Sequence, residues 1–219
     1  MKKLFAFILI GVMICNFGMA ESVSSMSDDD LRALRLEINN ELASRNEAML
    51  LGSEEHTVAE LFPDKVFAKY IRDECGLVSI HDPVTQDQLD SIKKVYFLSK
   101  NDGLSSLDGI LYLHNITELA LYYQSNLTVI PEDINQLSKL EYLNIERCGV
   151  SELPDSICDL AYLETLNIAN TNISKLPDDI GNLENLTKLN ISNTKISVLP
   201  QSIRNLSLSE FKKDGLDIE

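Results

Sequence analysis

The feature that most constrains this chain is a stretch of 23 residues that occurs twice in direct succession. Leu153–Lys175 reads LPDSICDLAYLETLNIANTNISK, and Leu176–Val198 reads LPDDIGNLENLTKLNISNTKISV. The same frame runs backward to Ile130, as IPEDINQLSKLEYLNIERCGVSE, and forward to Leu199, as LPQSI. Self-similarity at this period marks stacked supersecondary units, because one unit cannot bury its apolar side alone and the next one covers it. The chain is therefore expected to fold as a solenoid.

Within each unit the apolar residues keep fixed places. The pattern L-x-x-L-x-L-x-x-N/C-x-L is met by Leu140, Leu143, Ile145, Cys148 and Val150, by Leu163, Leu166, Ile168, Thr171 and Ile173, and by Leu186, Leu189, Ile191, Thr194 and Ile196. Ile116, Leu119 and Leu121 match the first part and reach Leu127 with one extra residue, while Ile92, Val95 and Phe97 match more loosely. Leu-x-Leu alternation points two side chains per strand inward and leaves the residues between them on the concave surface. Five parallel strands are predicted. Pro154, Ile157 and Leu160, or Pro177, Ile180 and Leu183, then step by three through a short helical return. Past Leu206 the 23-residue register fails, since Ser209, Lys212 and Asp214 stand where apolar side chains are required. Residues 207–219 therefore read as a short C-terminal cap and tail, with Leu208 and Phe211 shielding the last layer.

The segments before the repeats have their own signals. Lys2 and Lys3, the apolar run Leu4–Cys15 and Gly18-Met19-Ala20 form a signal peptide over residues 1–20, cleaved near Ala20. This predicts an exported protein, periplasmic, cell-surface or secreted. Residues 21–60 read as an acidic helical segment, with Ser27 and Asp30 at capping-box spacing and Leu31, Leu34, Ile38, Leu42 and Met49 along one face. Residues 61–91 read as a helical cap. Phe62-Pro63-Asp64 opens a helix with proline in its first turn, Val66, Phe67, Tyr70 and Ile71 form its apolar face, and Gly76 stops it. Thr85 and Gln88 then repeat the capping-box spacing. A helical unit directly before the repeats of residues 92–206 would cover the open core of the first one.

Taken together, residues 61–206 resemble a bacterial leucine-rich-repeat protein. Leu61-Phe62-Pro63-Asp64, Thr85-Gln86-Asp87-Gln88-Leu89, Leu107-Asp108-Gly109-Ile110 and Leu113 are similar to the capped start and first repeats of internalin-like proteins. The later LPxxIxxLxxLxxLxI turns resemble the more widespread type with proline after the leading leucine. The resemblance implies an α/β leucine-rich-repeat solenoid, with a curved parallel sheet on the concave side, short helical returns on the convex side and a helical N-terminal cap. It also implies binding through the concave face and rim, and it brings no catalytic residue. Cys148, Thr171 and Thr194 depart from the asparagine common at their position, where a side-chain hydrogen bond joins neighbouring turns.

Charge and composition narrow the function further. A net charge of −15 repels phosphate backbones and anionic headgroups, so nucleic acid is excluded as a partner. The leader's apolar run is too short to span a membrane. His56, His81 and His114 lie far apart, and Cys75, Cys148 and Cys158 have no metal-ligand spacing. No metal, cofactor or catalytic group is expected. The partner is expected to be a protein, peptide or glycan, bound by a monomer. Tyrosines gather on the outward positions of the first strands, and the candidate ligand contacts are Tyr96, Leu98, Tyr122 and Tyr123, followed by Tyr142, Asn144, Glu146 and Asn167. Five strands at ~4.8 Å spacing, each exposing about 17 Å, offer a face on the order of 400 Å². A stable protein complex needs roughly 800 Å² per partner, so it would recruit loops and rim, whereas a peptide or glycan fits the face. An alternative is a structural or assembly subunit of an envelope or surface complex, docking through a helix over Asp28–Leu51.

Overall fold

The computed structural model describes residues 55–99 and 102–216. The expected signal peptide and the helix over Asp28–Leu51 lie outside the described residues. Six parallel strands form one sheet in chain order: β3 (Lys94–Phe97), β4 (Glu118–Leu121), β5 (Tyr142–Asn144), β6 (Thr165–Asn167), β7 (Lys188–Asn190) and β8 (Glu210–Lys212). Val95, Leu119, Leu143, Leu166, Leu189 and Phe211 are register partners from strand to strand. Between strands the chain returns through short 3-10 turns at Ile110–Tyr112, Ile134–Gln136, Asp155–Asp159, Ile180–Asn182 and Gln201–Asn205. The turns are this tight because their apolar residues recur every third position and proline supplies the entry, as Pro154 does with φ −66°.

Each layer buries the residues that the pattern assigns to it. Leu140, Leu143, Ile145, Val150, Leu163, Leu166 and Ile168 are fully inaccessible, and the returns add Ile134, Ile157 and Ile180. The layers differ in length. Successive register positions are separated by 24, 24, 23, 23 and 22 residues. The last value carries a sixth strand, one more than the five the pattern predicts, into the segment after Leu206. With one residue fewer in the turn, Leu208 and Phe211 take the places of Leu186 and Leu189, Lys213 falls at the place of Ile191 and Leu216 at that of Thr194, and a sixth strand forms where a fixed step of 23 put Ser209, Lys212 and Asp214. Phe211 nevertheless stays 37% exposed, because among the described residues no further layer covers it.

A second periodicity confirms the sixth turn. Just after each of β4 to β8 one residue takes a left-handed conformation: Tyr123 (φ 61°), Arg147 (φ 60°), Asn170 (φ 58°), Asn193 (φ 55°) and Gly215 (φ 76°). One step later the chain must satisfy its own carbonyls. Thr171 and Thr194 donate to Ile168 and Ile191 carbonyls at 2.7 and 2.8 Å, and the Cys148 thiol donates to the Leu121 carbonyl at 2.7 Å. In the β4 turn Gln124 holds this place, 1% exposed: its Oε1 accepts from Leu104 N, and its Nε2 donates to the carbonyls of Ser99 and Tyr122. The extra residue of this turn follows Gln124 and precedes Leu127.

The cap begins earlier than residue 61. β1 (His56–Thr57) pairs antiparallel with β2 (Pro83–Val84), and α1 (Val58–Leu61) starts with a capping box between Thr57 and Glu60. α2 (Lys65–Glu74) is capped by Asp64, so Pro63 precedes the cap and does not enter the first helical turn. Asp64 Oδ1 accepts from Val66 N and Phe67 N, while Oδ2 accepts from Ser105 N, Ser105 Oγ and Ser106 N. One carboxylate thus starts the helix and ties it to the first return. Gly76 ends the helix in a left-handed conformation (φ 65°), and α3 (Gln86–Ser91) carries the Thr85–Gln88 capping box. Phe62, Phe67 and Phe97 stack edge-on, with centroids 5.0 and 6.1 Å apart, and close the first layer.

Candidate binding face

Residues at alternate strand positions face outward on the concave side. Across the sheet one file runs Lys94, Glu118, Tyr142, Thr165, Lys188 and Glu210, and the next runs Tyr96, Ala120, Asn144, Asn167, Asn190 and Lys212. Strands of three or four residues are shorter than the sequence reading assumed. Six of them at ~4.8 Å spacing offer on the order of 300 Å², less than five longer strands would.

The expected tyrosine set divides in two. The Tyr96 hydroxyl donates to Glu118, whose other oxygen pairs with Lys94 at 2.7 Å. That hydrogen bond to a carboxylate, then burial and the Glu118 charge, raise the Tyr96 phenol above its ordinary value. Tyr122 and Tyr142 instead reach toward each other from β4 and β5, with their hydroxyls 3.2 Å apart. Below them Asn144 donates through Nδ2 to both, at 2.8 and 3.0 Å, and its Oδ1 accepts from Glu146 N. Burial and the neighbouring hydroxyl of Tyr142 push the Tyr122 phenol far up. At 1% exposure, Asn144 forms the floor beneath the two tyrosines and holds their hydroxyls in place.

The remaining candidates sit elsewhere. Leu98 is 57% exposed beyond β3. Tyr123 lies in the left-handed turn after β4, where the Arg147 guanidinium stacks on its ring at 5.0 Å from the centroid. Glu146 accepts from Asn167 Nδ2 at 3.2 Å and lies 3.6 Å from Arg147. Tyr123, Arg147 and Glu146 thus form a cluster at the edge of the concave face.

A depression of about 140 Å³ opens next to the tyrosine pair, lined by Tyr122, Tyr142, Asn144 and Asn167 and continuing over Thr165, Lys188, Asn190, Glu210 and Lys212. Four of the eight candidates are brought together here. Thr165, Lys188 and Asn190 are outward by the same strand alternation, whereas a fixed 23-residue frame hides Glu210 and Lys212. The 22-residue step was the signal that could have found them. Asn167 and Asn190 hold their amides in place by accepting from Ala169 N and Ser192 N at 3.1 Å, and both residues line the depression. Lys212 pairs with Glu210 at 2.6 Å.

Two family profiles match the chain: "Leucine-rich repeat region" over residues 110–214 and "Bacterial adhesion/invasion protein N terminal" over residues 53–90. Residues 110–214 are thus a leucine-rich-repeat region, preceded by a cap of the bacterial, internalin-like kind. The first profile runs through β8, in keeping with a sixth repeat, and the second covers the cap from before β1. Among solved structures, a Leptospira interrogans leucine-rich-repeat protein is 26% identical, with TM-score 0.54, over 62% of this chain and 41% of that one. Listeria monocytogenes InlP shares the fold at 18% identity and TM-score 0.55, over 77% of this chain and 56% of that one. The matched region therefore spans about half the length of these two proteins. Among the described residues no helix is long and apolar enough to cross a membrane, and no three His, Cys, Asp or Glu side chains are grouped to hold a metal ion.

Proposed function

We propose that this leucine-rich-repeat protein is an exported, non-catalytic binding module that recognises a protein, peptide or glycan through its concave face and rim. The observation that carries this reading is the Tyr122–Tyr142–Asn144 triad opening onto the depression over β6–β8. Repeat solenoids present extended concave surfaces for recognition, and tyrosines supply large contact area with a polar tip at low entropic cost. Export is supported by the residue pattern of the first twenty positions and by the description of the N-terminal profile.

Thr165 provides the test, because it is half-buried at the centre of the face and its replacement by a large side chain fills the groove while leaving the hydrogen bonds of its neighbours in place. Material captured from the cell envelope and surroundings by the wild-type chain should be lost with Thr165→Arg and retained with Glu184→Arg, whose site is on the exposed return. Equal capture by both folded variants would overturn the concave reading.

A further inference from the structure

The groove from β5 to β8 is a surface of hydrogen-bond donors. Asn144 gives one amide proton to each tyrosine hydroxyl, and one hydroxyl donates to the other, so the second keeps a proton for the groove. Asn167 Nδ2 spends one proton on Glu146 and has another. Asn190 has its oxygen committed to Ser192 N, and its Nδ2 has no partner among the described residues. Lys188 carries no ion pair among them either. Across the β7–β8 ladder Lys188 stands beside Glu210 and Asn190 beside Lys212, which places two ammonium groups and an amide on one patch. The patch already holds the carboxylate of Glu210, which pairs with Lys212, and the charge of Asp214, held by Ser192, also acts on Lys212. The hydrogen bond and charge of Lys212, with a contribution from Lys188, keep the Glu210 carboxyl below its ordinary range.

We propose that the β5–β8 groove binds the C-terminal end of an extended peptide, with Lys188, Asn190 and Lys212 holding its α-carboxylate in place of Glu210. This deepens the concave reading and rests on it. From the tyrosine pair at β4–β5 to the lysines at β7–β8 is about three strand spacings, ~14 Å, the length of four extended residues. A peptide laid across the strands sets its backbone carbonyls over the outward hydroxyl and the amides of Asn167 and Asn190, and its terminal carboxylate over the two cations. The requirement for a free terminus follows from the donors: a C-terminal amide brings no charge and adds N–H groups opposite a surface that has few free acceptors. In a chain of net charge −15 the patch acts at contact distance, since screening confines such an interaction to ~8 Å at physiological salt.

The experiment is an array of tetrapeptides, each made with a free carboxylate and as the C-terminal amide, probed with the whole chain. Retained sequences should weaken about tenfold or more on amidation, the loss expected for a charge-assisted contact. Lys188→Gln/Lys212→Gln should remove the same margin, while Glu210→Gln, which deletes the internal competitor, should strengthen binding. Peptides bound equally as acid and amide, yet lost with Thr165→Arg, would overturn the carboxylate site and keep the concave face. Binding indifferent to Thr165→Arg overturns both. Retention of acidic oligosaccharides but no peptide, by a chain whose circular dichroism is unchanged, also overturns the proposal.

Discussion

A buried polar atom left unpaired costs more than a paired one gains, and that asymmetry fixes Asp64, Gln124 and Asn144 in their places. Asp64 satisfies two N–H groups of α2 and three donors of the first return, so Asp64→Ala should cost about 2–3 kcal/mol, measured by denaturant unfolding. Burial alone would raise its pKa, but the hydrogen bonds from Ser105, Phe67 and Val66 outweigh it and hold the carboxyl below the usual range. A depressed carboxylate stabilises the fold fully above its unfolded value, near ~3.9, and the contribution disappears as pH falls through the lower folded value. The acid limb of the stability curve should therefore be steeper in the wild type than in Asp64→Asn. Asn144→Ala strips the tyrosine hydroxyls of a shared donor and leaves the Glu146 N–H without its acceptor. A loss of about 1–3 kcal/mol is expected, measured by denaturant unfolding. Burial lifts the Cys148 thiol to about 11, so it should resist alkylation at neutral pH until the chain unfolds.

At the scale of the element, the recurring turn after each strand sets preference against use. Asn and Gly tolerate a left-handed backbone, and they fill it at positions 170, 193 and 215; Tyr123 and Arg147 pay a steric penalty of about 1–2 kcal/mol there. Their ring-to-guanidinium stacking returns about 0.5–1 kcal/mol at an exposed site. Tyr123→Asn or Arg147→Asn should therefore raise stability by about 0.5–1 kcal/mol. The double variant should gain more than the sum, because the stacking is lost once and two penalties are relieved. Thermal unfolding of the three proteins checks this, and a destabilised double variant would show that the stack outweighs the backbone. The capping boxes at Thr57 and Thr85 and the stop at Gly76 belong to the same scale, and the last two were legible because caps act within four residues.

Across the whole described molecule, burial is uneven from end to end. The first layer is closed by Phe62, Phe67 and Ile71, all inaccessible, whereas Ile203, Leu206, Leu208 and Leu216 at the other end are partly buried. Because each repeat contacts mainly its neighbours, opening should begin at β8. Hydrogen exchange should be fastest in Glu210–Lys212 and slowest in β4–β6. Leu143→Ala should cost about 3 kcal/mol or more, against about 1 kcal/mol for Phe211→Ala, which vacates a half-open site. Equal costs would mean that the terminal layer is as closed as the centre.

The amino-acid sequence by itself determined the solenoid, the strand centres and the inward residues, because each repeat is specified by short-range alternation and covered by a copy of itself. It also marked Tyr122, Tyr142 and Asn167 as outward, since alternation leaves them no other side. Tertiary structure alone decided which of these residues meet. Tyr122 and Tyr142 join over Asn144 while Tyr96 turns to Glu118, a choice made by side chains reaching diagonally between adjacent turns, past their register partners. It decided too that a turn one residue shorter brings Glu210 and Lys212 beside Lys188 and Asn190. A fixed period predicts what each layer buries, but a site assembled from several layers depends on how far each successive turn advances the chain.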